Sequence, residues 1–216
     1  MSKRTENIIL FDLDGTLTDS ADGIIKSAQH MQEKLGMPIS KAEDLRFIVG
    51  PPLLPLFQSD FGMTLEEAEH ALVVYRERYS TVGLFENEVY EGIPELLQSL
   101  RQKGKRLAVA TSKKQESAIR ILDHFGIAEY FEVIGGDNRE IGRDTKAKVI
   151  AYVLEELHAD MSDVVMVGDR KYDVEGAHAI GLPCIAVEYG YGDLAEFEAC
   201  GADEVVATVK DLDERF

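Results

Sequence analysis

Apolar residues fall into two rhythms along the chain. Short runs occupy residues 7–11, 106–110, 131–134, 163–167 and 183–187, with a weaker one at 204–207. Runs this short, apolar rather than alternating, predict strands covered on both faces. Between them the apolar positions recur at helical spacing. Residues 92–103 place Leu96, Leu97 and Leu100 on one face, with Pro94 near the start and Gly104 past the end. Residues 116–125 repeat this with Ile119, Leu122 and Phe125, and residues 146–157 with Val149, Ile150, Val153, Leu154 and Leu157. A further helix at 173–180 stops at Gly181. Strand alternating with helix predicts an α/β fold built on a doubly wound, Rossmann-like parallel sheet.

Residues 18–87 break the alternation and carry helical patterns alone. Ile24, Ile25, Ala28, Met31 and Leu35 form one apolar stripe. Ser40 with Glu43, and Thr64 with Glu67, have the spacing of capping boxes. Leu65, Ala68, Leu72, Tyr75 and Tyr79 form a seam at spacings of three and four. The expected organisation is a core of residues 1–17 and 88–216, with residues 18–87 inserted as an all-helical domain. Hinges are expected near 18–21 and 87–92.

Composition narrows the partners. The 216 residues carry 23 Lys and Arg against 40 Asp and Glu, a formal net charge of −17. Nucleic acid is excluded as a main partner, because affinity there comes from basic side chains neutralising phosphates. An anionic membrane surface is excluded for the same reason. Cys184 and Cys200 have no partners at metal-ligand spacing, so a reduced, cytoplasmic setting is expected. The residues before the first run lack the apolar core of a secretory signal, and no run is long enough to span a bilayer.

Polar chemistry collects at the ends of the runs, where open α/β sheets bind ligands. The first run ends in Asp12-Leu13-Asp14-Gly15-Thr16-Leu17, the second in Thr111-Ser112, and the fourth in Gly168-Asp169 with Asp173 four residues on. Lys146 opens the helix after the third run; Lys148 lies on another face. Alone, the first of these is an ordinary acidic turn. It is not an EF-hand loop, because Leu17 and Gly23 stand where Gly and Glu are required. Carboxylates gathered at neighbouring strand ends repel one another unless a cation binds among them, and oxygen donors suit magnesium. Thr111 and Ser112 offer hydroxyls and turn amides to an anion, and Lys146 a positive charge at a helix start.

Taken together, these four motifs resemble those of the haloacid dehalogenase-like hydrolases, in that family's order and over essentially the whole chain. The helical insertion is similar to the cap shared by phosphoglycolate phosphatase and β-phosphoglucomutase. The resemblance implies a magnesium-dependent phosphatase acting on a small phosphorylated metabolite. It implies Asp12 as the nucleophile that forms an aspartyl-phosphate, and Asp14 as the acid and then the base. Thr111, Ser112 and Lys146 would hold the transferring phosphoryl group. Magnesium would be held by Asp12, Asp169 and the backbone carbonyl of Asp14, with Asp173 contributing through water or serving as a helix N-cap. Gly50-Pro51-Pro52, a rigid turn in the insertion, would shape the substrate pocket or only stop a helix. Arg46, Tyr75 and Arg78 are further candidates there. Ala147 replaces a proline common after the lysine, and Ser112 replaces an asparagine common in phosphoglycolate phosphatases, so substrate identity does not carry over with the mechanism.

Phosphoglycolate is the first substrate implied and a nucleoside monophosphate the second. A β-phosphoglucomutase-like transferase and a non-catalytic cation-binding protein of the same fold are the alternatives. The expected assembly is a monomer or homodimer. Lys113 and Lys114 read as a solvated helix start, and residues 189–192 (YGYG) as a loop packed on the core.

Overall fold

The computed structural model describes residues 3–216. In chain order the elements are β1 (Ile8–Phe11), β2 (Thr18–Asp19), α1 (Ala21–Lys34), α2 (Leu53–Ser59), α3 (Leu65–Arg78), β3 (Glu88–Val89), α4 (Ile93–Gln102), β4 (Arg106–Lys114) and α5 (Gln115–His124). There follow β5 (Val133–Asp137), α6 (Lys146–Leu157), β6 (Val164–Gly168), α7 (Lys171–His178), β7 (Cys184–Val187), α8 (Leu194–Cys200), β8 (Glu204–Val206) and α9 (Val209–Arg215). The chain divides into two compact units, one formed by the segment up to Thr18 with Val89–Phe216, the other by Asp19–Glu88.

The first unit is a six-stranded parallel sheet in the order β5-β4-β1-β6-β7-β8. The fully apolar runs become its central strands: β1, β6 and β7 are buried at every residue. Ile8 and Leu10 of β1 join Val149, Ile150 and Val153 of α6 and Val174 and Ala177 of α7 in one core layer. The period of two sends Ile9 and Phe11, also fully buried, to the other face. Burying a leucine or isoleucine this completely contributes about 1.5–3 kcal/mol. From β1 the chain builds outward through β4 and β5, then crosses back to build the other half through β6, β7 and β8. The order therefore reverses at β1, with β4 on one side and β6 on the other.

The expected sheet is present, with two differences. β4 continues past residue 110 to Lys114, through a register shift against β5. α8 and α9, absent from the periodicity reading, are seven residues each, too short for a period to stand out.

The second unit packs α3 against α1 and α2. Ile24, Ile25, Ala28 and Met31 are buried as the stripe on α1 predicts. Thr64 and Glu67 form the expected capping box, each satisfying a backbone N–H of the other. One expectation fails and another holds in part. Ser40 caps no helix: its N–H and hydroxyl bond Gln32 of α1, and residues 43–48 form a 3-10 turn capped by Ala42 without a side-chain bond. The seam on α3 holds at Ala68 and Tyr75, which are buried, and at Leu72 and Tyr79, half-buried, but Ala71 and Val74 join it and Leu65 is 53% exposed in the first turn. Two helices press on α3 rather than one, so its buried band is broader than a single seam. Gly50-Pro51-Pro52 separates the 3-10 turn from α2, with Gly50 at φ 103° and Pro52 at the N-cap.

Candidate active site

The site grows from three adjacent strand ends, β4, β1 and β6. Asp12 follows β1, and its N–H donates to the carbonyl of Val167 in β6 at 2.9 Å. A tight turn comes next: the N–H groups of Thr16, Leu17 and Thr18 all reach the carbonyl of Leu13, and Gly15 N–H donates to Thr18. Gly15 has φ 83°, and a Cβ there would overlap the carboxylate of Asp169. Glycine is required at this position on both counts.

Asp169 follows β6 and is buried. Thr16 Oγ1 donates to one carboxylate oxygen at 3.3 Å, and the backbone N–H of Tyr191 to the other at 2.8 Å. Asp173 is the third residue of α7 rather than its N-cap, and accepts the N–H of the N-cap residue Arg170 at 3.1 Å. A Cβ on Gly168 would overlap Asp173, which accounts for the glycine in Gly-Asp-x-x-x-Asp. Asp12, Asp169 and Asp173 present carboxylate oxygens within 4.8 Å of one another, all buried.

Lys146 enters at the first residue of α6, whose N-cap is Thr145. Its buried Nζ lies 2.6 Å from Asp173 Oδ1 and 3.0 Å from Asp12 Oδ1, and donates to the carbonyl of Ala110 at 3.0 Å. Gly176 leaves room for its stem. Lys148, the rival, pairs with Asp144 at the surface. Thr111 is buried in β4 beside this group, while Ser112 is exposed.

Burial and crowding set the charges here. Desolvation, then the charges of Asp173 and Asp12, push the Asp169 carboxyl well above the usual range. Burial and Asp12 push Asp173 up to about 7, with Lys146 opposing. Burial alone would lower Lys146, but Asp12 and Asp173 outweigh it and hold the ammonium charged. Asp12 Oδ1 and Asp173 Oδ1 lie within ion-pair distance of Lys146 yet lack an aligned hydrogen bond. Three buried carboxylates crowded around one ammonium fit a hard cation, which prefers oxygen donors.

Some contributors escape a motif reading. Lys113 is not a solvated helix start: its Nζ sits 2.5 Å from Asp14 Oδ2, and its side chain is 8% exposed. The apolar run ends at residue 110, four residues before β4 does, so the run alone places the lysine beyond the strand, at the start of the next helix. Lys114 is exposed and pairs with Glu116. The 189–192 loop packs on the site itself. Tyr189 donates to the carbonyl of Thr16 at 3.1 Å, Tyr191 N–H holds Asp169, and Gly190 and Gly192 lie where any side chain would strike Asp169 or its neighbours.

The candidates in the inserted helices belong to the second unit. Arg78 makes a two-pronged pair with Glu86 and also donates to Ser27, and Tyr75 is buried against Phe57 and Tyr79. Both are engaged inside that unit rather than solvated.

The haloacid dehalogenase-like hydrolase family matches residues 9–187. The chain is 44% identical over 207 residues to the tyrosine-protein kinase PtkA of Mycobacterium tuberculosis, covering 96% of this chain and 70% of that protein. It is 40% identical over 191 residues to a 5'-nucleotidase of Pseudomonas aeruginosa, covering 88% and 86%. It is 31% identical over 192 residues to a phosphoglycolate phosphatase of Pseudomonas syringae, covering 85% and 70%. Among solved structures, a predicted phosphatase from Clostridium acetobutylicum superposes with a TM-score of 0.93 at 42% identity, covering 98% of each chain. By motif order, by sheet topology and by these likenesses, the chain belongs to the haloacid dehalogenase-like hydrolases and is a phosphatase of that family.

Proposed function

We propose that the chain is a magnesium-dependent phosphomonoesterase that works through an aspartyl-phosphate on Asp12. The observation that supports it best is the charge inventory at the switch point. When ionised, the three clustered carboxylates of Asp12, Asp169 and Asp173 face the Lys146 ammonium, which leaves two negative charges for one divalent cation to balance. Asp12, Asp169 and the backbone carbonyl of Asp14 would hold magnesium, with Asp173 behind them; when bound, it would neutralise the phosphoryl oxygens.

The chain's own residues do the rest. The Asp12 carboxylate attacks phosphorus in line, forming a new O–P bond as the bond to the leaving oxygen breaks. Asp14 gives that oxygen its proton. Lys146 and the Thr111 hydroxyl hold the transferring group, and Ser112 lies at the rim. Asp14 then takes a proton from water, which attacks the phosphoenzyme and releases inorganic phosphate and free Asp12. Lys146 also keeps Asp12 and Asp173 from repelling one another before substrate arrives.

A nucleoside 5'-monophosphate is the first substrate to test, ahead of phosphoglycolate, because the 5'-nucleotidase relative is more similar and more fully covered. The name of the PtkA relative favours a second reading, transfer of the phosphoryl group to a tyrosine. Gly50, Pro51 and Pro52 are assigned to substrate selection in the helical unit. Asp12→Asn decides the central claim: magnesium-dependent turnover of p-nitrophenyl phosphate should fall at least about a thousandfold with the melting temperature retained. Full activity in that variant overturns the assignment. Label passing from a nucleoside triphosphate to a tyrosine peptide, and not to water, would replace hydrolysis by the second reading.

A further inference from the structure

Asp14 is held asymmetrically. Lys113 Nζ lies 2.5 Å from Oδ2, while Oδ1 is buried and has no hydrogen-bond partner among the described residues. The lysine reaches it through a constructed piece of backbone. β4 and β5 stay in register through Val109 with Ile134 and Ala110 with Gly135, then shift, so that Lys114 faces Asp137. Four residues of β4 thus advance against two of β5. Bulges of this kind re-aim side chains beside active sites. Within the bulge Lys113 N–H donates to Thr111 Oγ1 at 3.2 Å. Across it, Gly136 lies so close that a Cβ would come within 2.6 Å of the Lys113 carbonyl and of the Gln115 backbone. The lysine stem is then withdrawn from water, although an exposed lysine carries no such desolvation cost.

We propose that Lys113 is a positioning residue for proton transfer by Asp14. An ammonium donating to Oδ2 occupies that oxygen, so the proton delivered to the leaving group must travel on Oδ1. The same anchor fixes the carboxylate torsion, which otherwise turns freely about a single bond. Lys113 acts through Asp14, whose carboxylate it holds. This inference rests on the reading of Asp14 as the acid in the proposed reaction.

The test compares esters that differ in their need for a proton. p-Nitrophenolate leaves unaided, whereas an alkoxide does not. The value of kcat/KM counts steps only up to loss of the leaving group, so it isolates the first proton transfer from the later activation of water. In Lys113→Met, kcat/KM for an alkyl phosphate should fall at least about tenfold, while that for p-nitrophenyl phosphate stays within about threefold. Lys113→Arg, which retains a donor, should recover much of the alkyl phosphate activity. Lys113→Met should melt lower, since it leaves the Asp14 carboxylate without its partner, but should keep a cooperative transition and its rise with magnesium. An equal fall on both esters assigns Lys113 to phosphate binding or to structure, and no fall on either leaves it without a role; both overturn the inference. Were the unaltered chain to hydrolyse neither ester, the proposed function itself would fail and this inference with it, whereas an active chain indifferent to Lys113 overturns the inference alone.

Discussion

Gly190 sets how closely the loop after β7 approaches the acids. A Cβ there would overlap the carbonyl of Gly15 and the Asp169 side chain, both within the candidate site. Gly190→Ala should therefore push apart the two pieces of backbone that frame Asp169. Overpacking of this kind costs typically 1–3 kcal/mol, and part of it would appear as displacement of the carboxylate. The expected result is a magnesium half-saturation raised about tenfold or more, with a lowered melting temperature, read from metal titrations of turnover and of thermal unfolding. Unchanged titrations would mean that the loop only covers the site. The importance of this glycine could not be read from the chain. Gly168-Asp169 and Asp12-Leu13-Asp14 carry their chemistry side by side, but Gly190 meets Asp169 only through the fold, some twenty residues away, and a glycine reports nothing about what it approaches.

At the scale of elements, legibility followed how local the cause was. β1, β6 and β7 could be read because burial on both faces demands apolar residues at every position. α6 could be read because its stripe of Val149, Ile150, Val153 and Leu154 meets a single sheet face. The buried band of α3 is wider than its seam because two helices press on it, and Ser40 is no cap because Gln32 of α1 takes its hydrogen bonds. Lys113 was missed because the bulge that carries it is decided by pairing with β5, not by its own neighbours. A capping box is the opposite case, settled within four residues. Thr64 accepts from Glu67 N–H, and Glu67 accepts from Thr64 N–H at 2.8 Å. Thr64→Ala should cost about 1 kcal/mol, by loss of the cap alone. Denaturant unfolding should show this as a lower midpoint with an unchanged slope, while magnesium affinity, which the proposed function assigns to residues of the other unit, stays the same. A change in that affinity would contradict the separation of the two roles.

For the molecule as a whole, the −17 hides a local concentration of negative charge. Asp173 is pushed up to about 7 by burial and by Asp12, and Asp169 well above its usual range by burial, Asp173 and Asp12. In the unfolded chain both groups return to ordinary values near 3.8. Between the two values the native site holds protons that the unfolded chain has released. Stability must then fall as pH rises through that window, by about 1.4 kcal/mol per unit for each such group. For Asp173 this amounts to a loss on the order of 4 kcal/mol between pH 4 and 7. Groups such as Glu132 and Asp203 act the other way: Arg106 holds Glu132 low, and for Asp203 the bonds from His178 and Cys184 outweigh burial. Their contribution is present above the ordinary carboxylate values and is lost as pH falls below them. The metal-free protein should thus melt highest near pH 5 and lower at pH 8, at about 2–4 °C per kcal/mol for a chain of this size. On the proposed function magnesium would bind the ionised carboxylates, so its stabilising effect should grow over the same interval and flatten the decline. Asp169→Asn separates the two effects. It removes one buried charge, so without metal at pH 8 it should melt above the unaltered chain, and it should show no rise with magnesium. A variant that melts lower and still responds to the ion would show that Asp169 stabilises the fold rather than holding the cation.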